Sequence, residues 1–189
     1  MSKIYVGILG ATGTVGKEFV DALYNHSDFA IHVLHASEKS SGRNYAEAAH
    51  FDTSYLSDEI RSMPVTHVLD YDQFDVACSA LPRDVAIVQE PQIARYKPVI
   101  STVSAFRYED DVPVLITEVN AEHARLIKDQ QRNRKWGGFI APQPNCTTVG
   151  LVVSLKPIYD NFGIRRVFMA SYQSVSGAGY EAVNKWEAQ

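Results

Sequence analysis

Cysteine is scarce, with two in 189 residues, Cys78 and Cys146. Two thiols so far apart make no disulfide framework and fit a reducing compartment, so a cytoplasmic location is expected. No run approaches the roughly 20 apolar residues of a membrane span. After Lys3 only Ile4 to Leu9 are apolar before glycines intervene, too short to read as a secretory leader. Positive charge is not in excess: 18 Lys and Arg face 22 Asp and Glu, a net charge of −4. That removes the electrostatic reason to expect nucleic acid. No group of Cys, His and carboxylates has metal-ligand spacing. His26, His32, His35, His50, His67 and His123 lie in no motif and read as structural or exposed. There is no internal repeat and no low-complexity tract.

What remains is ordinary globular composition, 46% hydrophobic and 21% charged. Short apolar runs at 4–9, 31–35, 74–80, 99–101, 114–116 and 139–141 read as strands. Between them, residues 14–25 place Val15, Phe19, Val20 and Leu23 on one helical face, and Asn120 reads as the N-cap of a helix reaching about residue 129. Residues 128–138, "KDQQRNRKWGG", read as a polar connector. A helix is expected from 149 to 155, limited by Pro157, and a longer strand from 165 to 174. Strands alternating with helices give an α/β fold: a mainly parallel, Rossmann-like sheet with helices on both faces.

The stretch "GILGATGTVG" sets Gly7, Gly10, Gly13 and Gly16 three apart across a strand end, a turn and a helix start. A first strand-to-helix turn that binds a dinucleotide needs this, because the backbone must approach a pyrophosphate and offer it free N–H groups. The hydroxyls of Thr12 and Thr14 add donors. An NAD site usually carries Asp or Glu about 20 residues later. Here "ASEKSSGR" supplies Ser37, Ser40 and Ser41 with Lys39 and Arg43, which favours a 2′-phosphate and hence NADP; Glu38 keeps NAD open.

Cys146 stands in "QPNCTTVGL", at the start of an expected helix. A helix N-terminus favours a thiolate placed there. Asn145 and the first N–H groups of that turn are placed to stabilise an oxyanion. Beside a nicotinamide cofactor, such a thiolate suits thioester chemistry: reduction of an acyl phosphate, or the reverse. Cys78, inside "DVACSAL", reads as core.

At these residues the chain resembles the aspartate-semialdehyde dehydrogenases of the archaeal and fungal type. The resemblance runs through "GILGATGTVG", "ASEKSSGR", "CSALP", "AFRYEDDVPVLITEVN", "GFIAPQPNCTTVGLVVSLKPIYDNFG" and "SYQSVSGAGY". It implies reduction of aspartyl-4-phosphate with NADPH, on the route to lysine, threonine and methionine, with Cys146 as nucleophile. It implies a cofactor loop of Gly10, Thr12, Gly13, Thr14 and Val15, a 2′-phosphate pocket of Ser37, Ser40 and Arg43, and Ser79 near the cofactor. Ser176, Gly177 and Gly179 match a second cofactor loop. Arg107 and Asn145 match phosphoryl-binding residues, and Gln173 matches a glutamine that orients the substrate. Read alone, Arg107 is equally a surface residue paired with Glu109 or Asp110, and Gln173 a solvent-facing strand residue.

Thr102 and Val103 stand where the family usually shows Asn-Ala, and Pro91 interrupts a segment that is helical in the family. The family is about twice this long and forms homodimers or homotetramers. Residues 1–144 are therefore expected to form an NADP-binding domain and 145–189 the beginning of an α+β catalytic and dimerisation domain. The base His and the Arg for the substrate carboxylate are expected in the other half, leaving this chain inactive alone. Two readings rival this one: a Cys-dependent reductase of malonyl-CoA or N-acetylglutamyl phosphate, and a dinucleotide-binding module without catalysis.

Overall fold

The computed structural model of the chain describes residues 2–178, 183, 185 and 186. β1 (Ile4–Leu9) leads through the glycine turn into α1 (Thr14–Leu23), then β2 (Phe29–His35), two short helices, α2 (Tyr45–Ala48) and α3 (Asp58–Ser62), and a two-residue β3 (Val65–Thr66). The second half carries β4 (Val76–Ser79), α4 (Arg83–Ala94), β5 (Val99–Ser101), α5 (Thr117–Asn120), α6 (Leu126–Arg134), β6 (Ile140–Pro142) and α7 (Cys146–Phe162). The six strands form one sheet in the order β3-β2-β1-β4-β5-β6, and every pairing is parallel.

Both faces of the sheet are covered, which is why its strands read as apolar runs and not as alternation. Val6, Ile8 and Leu34 pack with Val20 of α1, Tyr45 of α2 and Ile60 of α3. Leu9, Val33, Ala77 and Val99 pack with Ala86, Ile93 and Ala94 of α4 on the other side. The chain reverses direction across the sheet between β1 and β4. In such a sheet the crevice beyond the carboxyl ends of these strands is where a ligand fits.

Five expectations are corrected. Residues 128–138 are not a connector, because α6 runs to Arg134. Its polar face hides Gln130, fully buried, which accepts from the Ile140 N–H at 2.6 Å and donates to the Ile140 carbonyl at 3.0 Å. Arg134 pairs with Asp111, Nε to Oδ2 at 2.9 Å. Residues 114–116 join no sheet. The Asn120 side chain takes the Ile116 N–H at 2.9 Å and donates to the Val114 carbonyl at 2.9 Å, tying back this segment; Asn120 holds the expected N-cap position, before the 3-10 turn Ala121–Arg125 that leads into α6, but its side chain makes no capping bond there.

Pro157 does not limit the helix begun near Cys146. α7 passes through it for 17 residues, as α4 passes through Pro91. A proline inside a helix forfeits one backbone bond, and on these half-exposed helices water can take the freed carbonyl. Residues 165–174 are neither strand nor helix and are exposed: among the described residues no strand pairs with them.

Candidate active site

Nearly every residue singled out in the sequence follows the carboxyl end of a strand. The glycine turn follows β1, Ser37 to Arg43 follow β2, Ser79 ends β4, Arg107 lies in the loop after β5, and Asn145 and Cys146 follow β6. Sheet order therefore ranges the candidate cofactor loops over β2, β1 and β4, and the candidate chemistry over β5 and β6. From β1 to β6 is three strand spacings, about 14 Å at ~4.8 Å each.

The turn after β1 is built for close approach. Gly10 has φ +78°, and a Cβ there would lie 2.6 Å from the Ala80 carbonyl oxygen. A Cβ on Gly16 would lie 2.1 Å from the Gly10 oxygen and 2.8 Å from Ala11 Cα. The Gly10 and Ala11 N–H groups both donate to the His35 carbonyl at 2.9 Å, and the Tyr45 hydroxyl donates to the Ala11 carbonyl at 3.1 Å. α1 begins at Thr14 with Gly13 as its N-cap and no side chain capping it, so its first-turn N–H groups remain for an anion. A pyrophosphate fits this cradle. Thr12 is half-buried and Val15 exposed at its rim.

After β2, residues Glu38–Ser40 make one 3-10 turn that leaves Ser37 and Lys39 exposed and buries Ser40. Arg43 is exposed, its guanidinium on the Glu47 carbonyl. Ser79 is fully buried and its Oγ has no hydrogen-bond partner.

Cys146 is the first residue of α7 and is exposed, whereas Cys78 is buried. The helix starts three residues earlier than the apolar pattern suggests because Asn145 caps it: its Oδ1 accepts from the Thr147 N–H at 3.0 Å. The Asn145 Nδ2 hydrogens stay available as donors. Arg107 does not pair with Glu109 or Asp110. Its Nε donates to the Gln143 carbonyl and its Nη2 to the Thr102 carbonyl, each at 2.9 Å. A guanidinium has five N–H donors, so both carbonyls can be held while donors remain for an anion. Gln173 is exposed, yet its Nε2 lies 3.8 Å from Cys146 Sγ and also bonds Thr147 Oγ1. Ser176 and Gly177 sit in an exposed 3-10 turn, Val175–Ala178, where Ser176 Oγ bonds Ser174 Oγ at 2.9 Å. That turn touches none of the glycine loop's hydrogen bonds. Gly179 lies outside the described residues.

Burial pushes the Cys78 thiol up to about 11 and lowers the tendency of His35 to protonate. It also holds the fully buried Glu90 carboxyl above the ordinary carboxylate value, against the hydrogen bond from the Ser101 hydroxyl that favours its charged form. Sequence reasoning missed Glu90, Gln130 and Tyr45. No local pattern marks them, because each acts through a partner at least ten residues away.

The family model for the NAD-binding domain of semialdehyde dehydrogenases matches residues 5–127, and the model for their dimerisation domain matches residues 155–189. The chain belongs to the semialdehyde dehydrogenase family. An aspartate-semialdehyde dehydrogenase of Methanothermobacter thermautotrophicus is 45% identical over 183 residues, which are 95% of this chain and 53% of that protein. A malonyl CoA reductase (NADP) of Metallosphaera sedula is 38% identical over 93% of this chain and 50% of that protein. The crystal structure of the Candida albicans aspartate semialdehyde dehydrogenase with NADP superposes with a TM-score of 0.75 at 35% identity, over 86% of this chain and 48% of that one. The chain thus spans about half the length of the curated semialdehyde dehydrogenases it matches. No described helix is long and apolar enough to cross a membrane.

Proposed function

We propose that this chain is the cofactor-binding and nucleophile-bearing part of a cytoplasmic, homo-oligomeric NADP-dependent aspartate-semialdehyde dehydrogenase, acting on aspartyl-4-phosphate. The domain division falls at 144/145, between the last strand of the sheet and the helix that starts at Cys146. The observation that carries the reading is the convergence at that helix start: Gln173 Nε2 at 3.8 Å from Cys146 Sγ, beside an Asn145 cap and an Arg107 anchored on Gln143.

Gly10, Thr12, Gly13, Thr14 and Val15 hold the pyrophosphate through backbone N–H groups and hydroxyls. Ser37, Ser40 and Arg43 hold the 2′-phosphate. Ser79, Ser176, Gly177 and Gly179 complete the cofactor site. When bound, NADPH supplies a hydride.

The Cys146 thiolate attacks the acyl carbonyl. A C–S bond forms, the C–O bond to phosphate breaks, and phosphate leaves with the electron pair. Arg107 and Asn145 donate hydrogen bonds to the phosphoryl oxygens and stabilise the charge that grows on the leaving group. Gln173 donates toward the reacting centre and orients it. Reduction of the thioester then leaves a hemithioacetal, whose collapse returns the thiolate and releases the aldehyde. An amide such as Gln173 has no basic group for the proton transfers of that cycle. A base is commonly worth 10²–10⁴-fold, so this chain alone is expected to acylate Cys146 without turning over.

A substrate panel tests the reading: aspartyl-4-phosphate, N-acetylglutamyl phosphate and malonyl-CoA, each with NADPH or NADH, on a protein carrying this chain and the rest of the family's length. Aspartyl-4-phosphate with NADPH is expected to be the best pair. The 38%-identical Metallosphaera relative favours malonyl-CoA as the second reading, and preference for it would replace the first.

A further inference from the structure

Glu90 is fully buried in the middle of α4, and among the described residues no Lys, Arg or His forms an ion pair with it. Burying a carboxyl is expensive, and an apolar side chain of similar size fills such a space at lower cost. Its surroundings show what the carboxyl does. Glu90 Oε1 accepts from the Ser101 hydroxyl at 2.7 Å, and Ser101 Oγ accepts in turn from the Val103 N–H at 3.0 Å. Ser101 and Ser79 are the last residues of β5 and β4 and are partners in the sheet register. Ser79 Oγ and Glu90 Oε2 are both buried without a hydrogen-bond partner.

From Ser101 the network runs to the site. The Thr102 N–H and hydroxyl both donate to the Ser79 carbonyl, at 2.9 and 3.0 Å. The Thr102 carbonyl accepts from Arg107 Nη2, and Arg107 Nε donates to the Gln143 carbonyl. The Gln143 N–H closes the circuit on the Ser101 carbonyl at 2.8 Å. One buried carboxyl thus braces the turn that aims Arg107 and the strand end that runs into Asn145 and Cys146.

We propose that Glu90 is a positioning residue: through Ser101 it fixes the loop after β5, and so holds Arg107 where an acyl substrate's phosphoryl group binds. The proposal rests on Arg107 as the phosphoryl-binding residue. It predicts that the carboxyl works as a neutral hydrogen-bonding clamp, which glutamine can replace and an apolar residue cannot.

The test compares this chain with its Glu90→Gln, Glu90→Met and Ser101→Ala variants. Ser101→Ala removes a single oxygen and keeps the experiment decisive if Glu90→Met fails to fold. Two signals are read: amide hydrogen exchange over residues 102–107, with β1 as internal control, and protection of Cys146 from iodoacetamide by inorganic phosphate. Glu90→Met and Ser101→Ala are expected to speed exchange at Val103 at least tenfold and to weaken phosphate protection at least tenfold, with β1 unchanged. Glu90→Gln is expected to match the parent in both. Unchanged exchange in a folded Ser101→Ala, or a Glu90→Gln as damaged as Glu90→Met, overturns the proposal. If phosphate fails to protect the parent chain, the phosphoryl assignment of Arg107 falls. The exchange signal uses no ligand and still decides whether Glu90 sets the loop.

Discussion

Replacing Gly16 with alanine should collapse the cofactor cradle while leaving the rest of the sheet intact. The new Cβ would lie 2.1 Å from the Gly10 carbonyl oxygen and 2.8 Å from Ala11 Cα. Both obstacles are backbone, so no side chain can swing away, and the turn must move by about 1 Å to restore ordinary contact near 3.4 Å. Overpacking of this kind costs about 1–3 kcal/mol, and alanine's better helix propensity returns up to about 1 kcal/mol. A net loss of about 1–2 kcal/mol lowers the midpoint of thermal unfolding by roughly 2–8 °C in a chain of this size. Binding should suffer more than folding, since the Gly10 oxygen also accepts from the Gly13 N–H at 3.0 Å and moves with the turn. Losing one charge-assisted contact to a phosphate, about 1.5–3 kcal/mol, weakens NADPH by roughly tenfold to 150-fold. Gly13→Ala is the control: its Cβ would lie 3.4 Å from the same oxygen at an ordinary φ of −89°, and binding should stay within a few-fold. Calorimetric titration with NADPH and thermal unfolding read both effects. Equal NADPH affinity in Gly16→Ala and Gly13→Ala would refute the cradle.

Three further expectations follow from the site and the surface. NADP should bind more tightly than NAD, and Arg43→Ala should weaken NADP alone by tenfold or more, a charge-assisted contact being worth about 1.5–3 kcal/mol; equal affinities in calorimetry would remove the 2′-phosphate assignment. Cys78 is buried with its thiol pushed up to about 11, whereas Cys146 is exposed, so mass spectrometry after iodoacetamide at about pH 8 should find Cys146 modified first, roughly tenfold faster or more. Its rate advantage should shrink as pH approaches 11, and earlier reaction at Cys78 would undo the nucleophile assignment. Phe162, Phe168 and Tyr172 are at least 86% exposed, so sedimentation at micromolar concentration should show self-association of this chain; a clean monomer would mean this surface is covered in a way the structure does not show.

Legibility in the sequence followed the range of the interactions involved. β1 and β5 are marked by local apolar runs with the observed bounds, because burial on both faces leaves a continuous signal. The second half of α6, beyond residue 129, was hidden, because it is held by a buried amide, Gln130, reaching a strand ten residues away, and by Arg134 on Asp111. The region 165–174 alternates like a strand, but a strand needs a neighbour, and alternation does not say whether one is present. Cys146 and Asn145 were readable because a cap and a helix start are local features. The approach of Gln173 to Cys146 spans 27 residues, and here only resemblance indicated it. Glu90 and Tyr45 carry no local mark, since their meaning depends on Ser101 and on the Ala11 carbonyl 34 residues from Tyr45.

The central claim is that Cys146 is the acyl-accepting nucleophile, and the most direct measurement is a map of covalent acylation. The chain is mixed with aspartyl-4-phosphate without cofactor, quenched in acid, digested and analysed by mass spectrometry. The account predicts an aspartyl adduct on the peptide containing Cys146, lost in Cys146→Ala and undiminished in Cys78→Ala. An adduct that survives Cys146→Ala, or no adduct on Cys146 in a folded chain, would contradict it.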